Sequence, residues 1–144
     1  MMTLIGTWHL VSCTIVNDDG SEDHYWGKSP KGVLIYDEAG NMAAQLRQAD
    51  RPNFNQEDWS KGTHEEIKRA FQSYQAYYGT YELHEEQGYV IHHVEGAIFP
   101  NWQGQPEKRF FKIDGEALHI TSPPIPINGK EFIFKLSWTK TKVA

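Results

Sequence analysis

The chain has 144 residues, with 14 Lys or Arg against 19 Asp or Glu and a formal charge of −5 when the histidines are neutral. That length suits one domain, residues 1–144, and a composition of 39% hydrophobic and 23% charged residues excludes a disordered chain. The acidic balance without a basic block argues against nucleic acid as a partner, the single cysteine excludes an internal disulfide or a cysteine zinc cage, and no apolar run approaches the ~18 residues that would span a bilayer.

The first residues lack the basic region and apolar stretch of a secretory signal, so a cytoplasmic protein with no membrane partner is expected. Most of the chain reads as short strands rich in β-branched and aromatic residues, punctuated by Gly, Asp, Asn and Pro. The first strand is expected over 6–16, with Trp8, Leu10, Ser12 and Thr14 on one face and His9, Val11, Cys13 and Ile15 on the other. Strands at 32–36 and 41–48 flank Asp37-Glu38-Ala39-Gly40, a turn that sets Tyr36 opposite Met42 and Leu34 opposite Ala44.

Thr63 and Glu66 form a capping box, and Ile67, Ala70, Phe71, Tyr74 and Tyr78 recur at helical spacing. They predict a helix over 63–78, stopped by Gly79. Strands resume at 80–84 and 89–96. After a loop over 97–106 they continue at 108–113, 117–122 and 132–139. Asp114-Gly115 is a tight-hairpin signal that pairs Phe111 with Leu118 and Arg109 with Ile120. In the last strand Phe132, Phe134, Leu136 and Trp138 share a face. About eight meandering antiparallel strands with one inserted helix favour an all-β, closed up-and-down barrel, with room for a packed interior or one small ligand. A two-sheet sandwich would show the same alternation.

Gly6-Thr7-Trp8 resembles the Gly-x-Trp signature of lipocalins, and the whole chain is similar to the intracellular bacterial and fungal lipocalin-like domain proteins. The segments that carry this are 6–12, Gly32-Val33-Leu34-Ile35-Tyr36, Ala49-Asp50-Arg51-Pro52, Tyr78-Gly79-Thr80-Tyr81, His92-His93-Val94-Glu95-Gly96 and Phe99-Pro100-Asn101-Trp102. Unlike classical secreted lipocalins, the chain shows no signal peptide or disulfide and places its helix mid-chain. The resemblance implies a calycin-type barrel with an internal apolar cavity, closed at its base by Trp8, that binds hydrophobic small molecules. Some barrel relatives in natural-product pathways perform cyclisations or isomerisations.

His92-His93-Val94-Glu95 is the segment richest in chemistry. On a strand only one of the two histidines faces inward. If Gly88 ends its turn as Gly40 does, then Tyr81, His93 and Glu95 point into the barrel together. A one-residue slip sends His92 inward instead, with Val90 and Val94. The first register is preferred, and the choice stays open. Arg109 shares the face of Phe111, Ile113, Leu118 and Ile120 and needs a carboxylate partner, for which Glu95 is the candidate.

The catalytic candidates are therefore His93 as acid or base, Tyr81 and Arg109 to stabilise developing negative charge, and Glu95. The same groups equally suit an internal ion pair that fixes strand register. Ligand-lining candidates are Tyr36, Met42, Tyr74, Tyr78, His92, Trp102, Phe111, Phe132, Phe134 and Leu136. Tyr74, Tyr77 and Tyr78 either gate the cavity or cover a barrel opening, and Trp102 is either a lid or a loop anchor. Asp50 and Arg51 are read as loop stabilisers and Cys13 as an inert thiol. The seven histidines show no metal-ligand spacing, so no metal and no cofactor are expected. Three functions fit: a cofactor-independent isomerase or cyclase of a small hydrophobic substrate, a non-catalytic carrier with the same pocket, or a barrel filled by its own aromatics that acts through its surface.

Overall fold

The computed structural model describes residues 3–141. The expected alternation becomes ten strands: β1 Gly6–Val16, β2 Glu22–His24, β3 Lys31–Tyr36, β4 Asn41–Arg47, β5 Tyr74–His84, β6 Tyr89–Ala97, β7 Pro106–Asp114, β8 Ala117–Thr121, β9 Ile125–Ile127 and β10 Lys130–Lys140. One helix, α1 His64–Gln72, lies between β4 and β5. Eight strands pair antiparallel in the order β1-β3-β4-β5-β6-β7-β8-β10, and β10 pairs back to β1, which closes the barrel and excludes the sandwich. The three-residue β2 and β9 extend β1 and β10 and escaped the strand reading because they are too short to alternate. No helix among the described residues is long and apolar enough to cross a membrane.

The barrel has two unlike ends. One carries the termini of the strand run and the turns 37–40, 85–88 and 115–116. The other carries the long connections 17–30, 48–73, 98–105 and 122–129. At the turn end Trp8 is fully buried, its indole N–H donates to the Leu4 carbonyl at 2.9 Å, and the Lys140 ammonium lies 4.7 Å over its ring.

Two strand details depart from the sequence reading. In β1 the pairing with β10 shifts between Leu10 and Ser12, leaving Val11 as an extra residue. Parity inverts there, so Cys13 joins Trp8 and Leu10 inside while Ser12 and Thr14 turn away. Burial pushes the Cys13 thiol up to about 12. Tyr36–Met42 and Leu34–Ala44 pair as expected. The β7–β8 turn is instead centred on Gly115 and Glu116, with Gly115 at φ 62, so Phe111 meets Ile120 and Ile113 meets Leu118. Glycine at the first central position is what a type II′ turn requires.

The helix is shorter than the predicted 63–78. Its capping box forms as expected, with Thr63 Oγ1 accepting from Glu66 N–H at 3.1 Å and Glu66 Oε1 from Thr63 N–H at 2.9 Å. After Gln72 the chain turns at Ser73 and enters β5. A spacing of four fits one helix face but also one strand face, so Tyr74 and Tyr78 carried no information about which period applied. Pairing of β5 with β4 decides the matter: Tyr77 goes inward, and Tyr74 and Tyr78 face outward, Tyr78 packing over Gly96. Ile67 and Phe71 on α1 remain about half exposed, so the apolar stripe of the helix adds little to the core. Arg51 closes the helix C-terminus, donating to the Ala70 carbonyl at 3.2 Å and Ser73 Oγ at 2.9 Å and stacking on the Tyr74 ring.

Candidate functional site

β6 sends Val90, His92 and Val94 inward, each at most 2% exposed. His93 therefore faces solvent, its imidazole 3.3 Å from Glu82, and Glu95 is exposed as the extra residue of a bulge opposite Tyr78 and Gly79. The preferred inward set of Tyr81, His93 and Glu95 is thus corrected to the slipped register, with Tyr81 opposite His92. The cause lies in two turns that look alike. The Asp37 carboxylate accepts from the Ala39 and Asn41 N–H groups, so Asn41 is drawn into the turn and Tyr36 meets Met42. Glu85, one methylene longer, stands in that place in the second turn. There Gly88 N–H reaches the Glu85 carbonyl, a four-residue loop closes, and His84 meets Tyr89 with no extra residue.

The His92 ring is held at both nitrogens. Tyr36 Oη lies 2.6 Å from Nε2 and Tyr77 Oη lies 2.7 Å from Nδ1. Arg109 is buried beside them, as its inward position on β7 demands, and its charge acts on both His92 and Tyr77. Its carboxylate partner is Glu107, two residues before it on the same face, with Nη1 and Oε2 3.5 Å apart; Glu95 plays no part. Arg109 Nη1 also donates to the Lys108 carbonyl at 3.1 Å. Burial, reinforced by the Arg109 charge, lowers His92 to about 3. Burial likewise holds the Tyr36 hydroxyl well above the usual tyrosine range and raises Tyr77, against the opposing pull of Arg109. At neutral pH the imidazole is therefore uncharged, both hydroxyls keep their protons, and Arg109 supplies the positive charge.

Of the other candidate residues, Tyr81 is half-buried at the turn end, edge-on to Tyr36 at 4.9 Å and bonded to the Asp37 carbonyl at 2.7 Å. Met42 is packed in the core. Phe111, Phe134 and Leu136 on β7 and β10 stay only half-buried, and Phe132 lines an external groove beside the 17–19 segment, whereas Leu34, Tyr36, Val90 and Leu118 are sealed. Trp102, in a short helical turn of the 98–105 connection, sits edge-on to Tyr77 at 5.7 Å. Tyr74 and Tyr78 lie outside. Two external grooves, about 350 Å³ over the outer face of β1, β8 and β10 and about 530 Å³ between the 17–19 and 130–132 segments, do not reach His92.

Sequence reasoning misses Glu107, and it places Tyr77 on the helix as a gate or cover instead of in the barrel beside His92. The alternation Glu107, Arg109, Phe111 carried the signal for one. For the other, the helical reading of 63–78 hid it.

A family model described as a lipocalin-like domain matches residues 5–141. The 4'-hydroxy-3'-methoxypropiophenone carrier protein ppsC of Aspergillus oryzae is 32% identical over 106 residues, which cover 69% of this chain and 96% of that protein. The closed eight-stranded barrel, its Gly6-Thr7-Trp8 opening and the near full-length match together make the chain a member of the lipocalin-like domain family.

Proposed function

We propose that the protein is a carrier that holds a small, largely apolar aromatic molecule in the barrel, entering at the loop end. The observation that carries this is the Tyr36–His92–Tyr77–Arg109 cluster, a few placed polar groups set among apolar and aromatic walls. Ligand sites have that composition: apolar lining for affinity, sparse hydrogen-bonding groups for orientation. The half-buried Phe111, Phe134 and Leu136 supply apolar surface that a ligand would cover. Similarity to a carrier of an aryl ketone supports the same class of ligand.

Turnover as an isomerase or cyclase is the second reading, favoured by the buried positive charge of Arg109 beside the His92 and Tyr77 cluster, where developing enolate charge would be stabilised. Against it stands the imidazole. A general base works best with a pKa near the working pH, and His92 sits far below. The test is titration with 4'-hydroxy-3'-methoxypropiophenone, followed by tryptophan fluorescence, with mass spectrometry of the recovered ligand. Saturable binding with the ligand returned unchanged is expected. An isomerised or cyclised product would replace the carrier reading by the enzymatic one, and failure to bind this compound or a panel of apolar aromatics would reject both.

A further inference from the structure

Arg109 is 7% exposed, so its charge has left bulk water and requires opposite charge and hydrogen bonds in return. The fold supplies little of either. Its ionic partner among the described residues is Glu107, whose Oε2 lies 3.5 Å from Nη1. A charge-assisted hydrogen bond is shorter, at about 2.7–2.9 Å. The Glu107 side chain is 19% exposed and stands one residue inside the start of β7, at the loop-end rim, so water screens its charge. The facing groups, His92, Tyr36 and Tyr77, are uncharged at neutral pH.

The guanidinium also keeps one edge open. It is a planar fork of five N–H donors. The contact with Glu107 and the hydrogen bond to the Lys108 carbonyl both use Nη1, and neither uses the edge formed by Nε and Nη2. Among the described residues, the one buried side-chain nitrogen or oxygen that lacks a hydrogen-bond partner and is shut off from water is Trp138 Nε1. The Nε–Nη2 edge is not of that kind, so it opens on space that a water molecule enters. Arg109 stands three residues inside the start of β7, at the loop end where the carrier reading places entry.

We propose that the Nε–Nη2 edge of Arg109 receives a carboxylate on the ligand, so that the molecule carried is an aryl carboxylate. This deepens the carrier reading and rests on it. Two parallel N–H···O bonds match the two oxygens of a carboxylate, whereas a ketone or hydroxyl oxygen meets the fork at a single point. The acid group lies at Arg109, and the ring covers the half-buried Phe111, two residues further along the same face of β7. Glu107 is then a competitor: a rim carboxylate that holds the guanidinium loosely in the unliganded protein and repels the incoming anion. Arg109 is the specificity residue for an acid over its neutral isostere.

Calorimetric titration at neutral pH with 4-propylbenzoate and with 4-propylbenzamide tests it. Wild type should prefer the carboxylate by about 10- to 100-fold, the scale of hydrogen bonds to a charged group. Arg109→Met should abolish that preference while keeping affinity for the amide, and Arg109→Lys, which keeps the charge without the fork, should retain part of it. Glu107→Gln should tighten carboxylate binding by about 5-fold, the scale of removing one like charge at the rim, and leave the amide unaltered. A merely structural role for the pair would not produce that gain. Equal wild-type affinity for the two probes, or a preference that survives Arg109→Met, overturns the inference and leaves the carrier reading standing. Wild type that binds neither probe also overturns it, and the carrier reading falls with it only when the neutral aromatic panel fails as well. Should Arg109→Met not fold, Glu107→Gln and the wild-type preference decide.

Discussion

The two ends of the barrel are built from the same strands but to different rules. At the turn end, connections are short, Asp37 satisfies the backbone of one turn, and Trp8 has both its ring and its N–H occupied. At the loop end, Tyr25, Trp26 and Trp102 are half-buried, and the indole N–H of Trp26 ties the first long connection to the Gln72 carbonyl at 3.0 Å, at the end of α1. Trp26 holds a left-handed backbone, φ 65, which a bulky side chain rarely adopts. Strain of this kind persists where surrounding contacts over-determine it, commonly near functional sites. The lesson is that saturation separates the two ends. Groups with all their contacts spent on the protein hold the fold, and groups with contacts to spare are available to a ligand. Among the described residues one group runs against the pattern: the Trp138 indole nitrogen is buried with no hydrogen-bond partner.

Removing Trp8 should break the contrast most sharply. Trp8→Ala should lower unfolding free energy by about 3–5 kcal/mol, read from urea denaturation, because a fully buried indole leaves a cavity that the closed turn end cannot collapse. A loss under about 1 kcal/mol would mean that the turn end does not bear the fold's stability.

Acid should act next. His92 is held near 3 when folded and titrates near 6.5 when unfolded, so between those values the unfolded chain binds the extra proton. Its stabilising contribution is complete above about 6.5 and declines as pH falls toward 3. The slope is on the order of 1 kcal/mol per pH unit. Carboxylates such as Glu66 and Asp37 are held below their ordinary values, so they contribute mainly at the lower end of this range. Urea midpoints of wild type should therefore drop between pH 6.5 and 4.5, and His92→Gln should flatten that slope.

A smaller pair of effects sharpens the comparison further. Trp102→Ala at the loop end should weaken aromatic ligand binding by about 10-fold for about 1–2 kcal/mol of stability, since a half-buried ring loses only part of its contacts. His93→Ala should change stability by less than about 0.5 kcal/mol and leave binding unaltered, because the ring stands in solvent beside Glu82. Isothermal titration and denaturation of both variants check this. A binding defect in His93→Ala would reinstate it as a site residue.

The chain's residues were enough to favour a closed antiparallel barrel and to mark its inward apolar faces on β4 and β10, the capped start of the helix and the inward position of Arg109. Each of these rests on a local period or a local pairing of side chain and backbone. What needed tertiary structure was parity. Val11 and Glu95 each add a residue to their strands, and every side chain beyond such a bulge changes face. Gly79 permits the second bulge, since a Cβ there would collide with the His93 carbonyl. Tyr74 and Tyr78 satisfy helix and strand periods alike, so only pairing of β5 with β4 could choose between them. The barrel interior depends in the same way on contacts distant in sequence. Tyr36 and His92 are 56 residues apart, and no local pattern brings their polar atoms within 2.6 Å. Period is written along the chain, but register is set by the strand alongside.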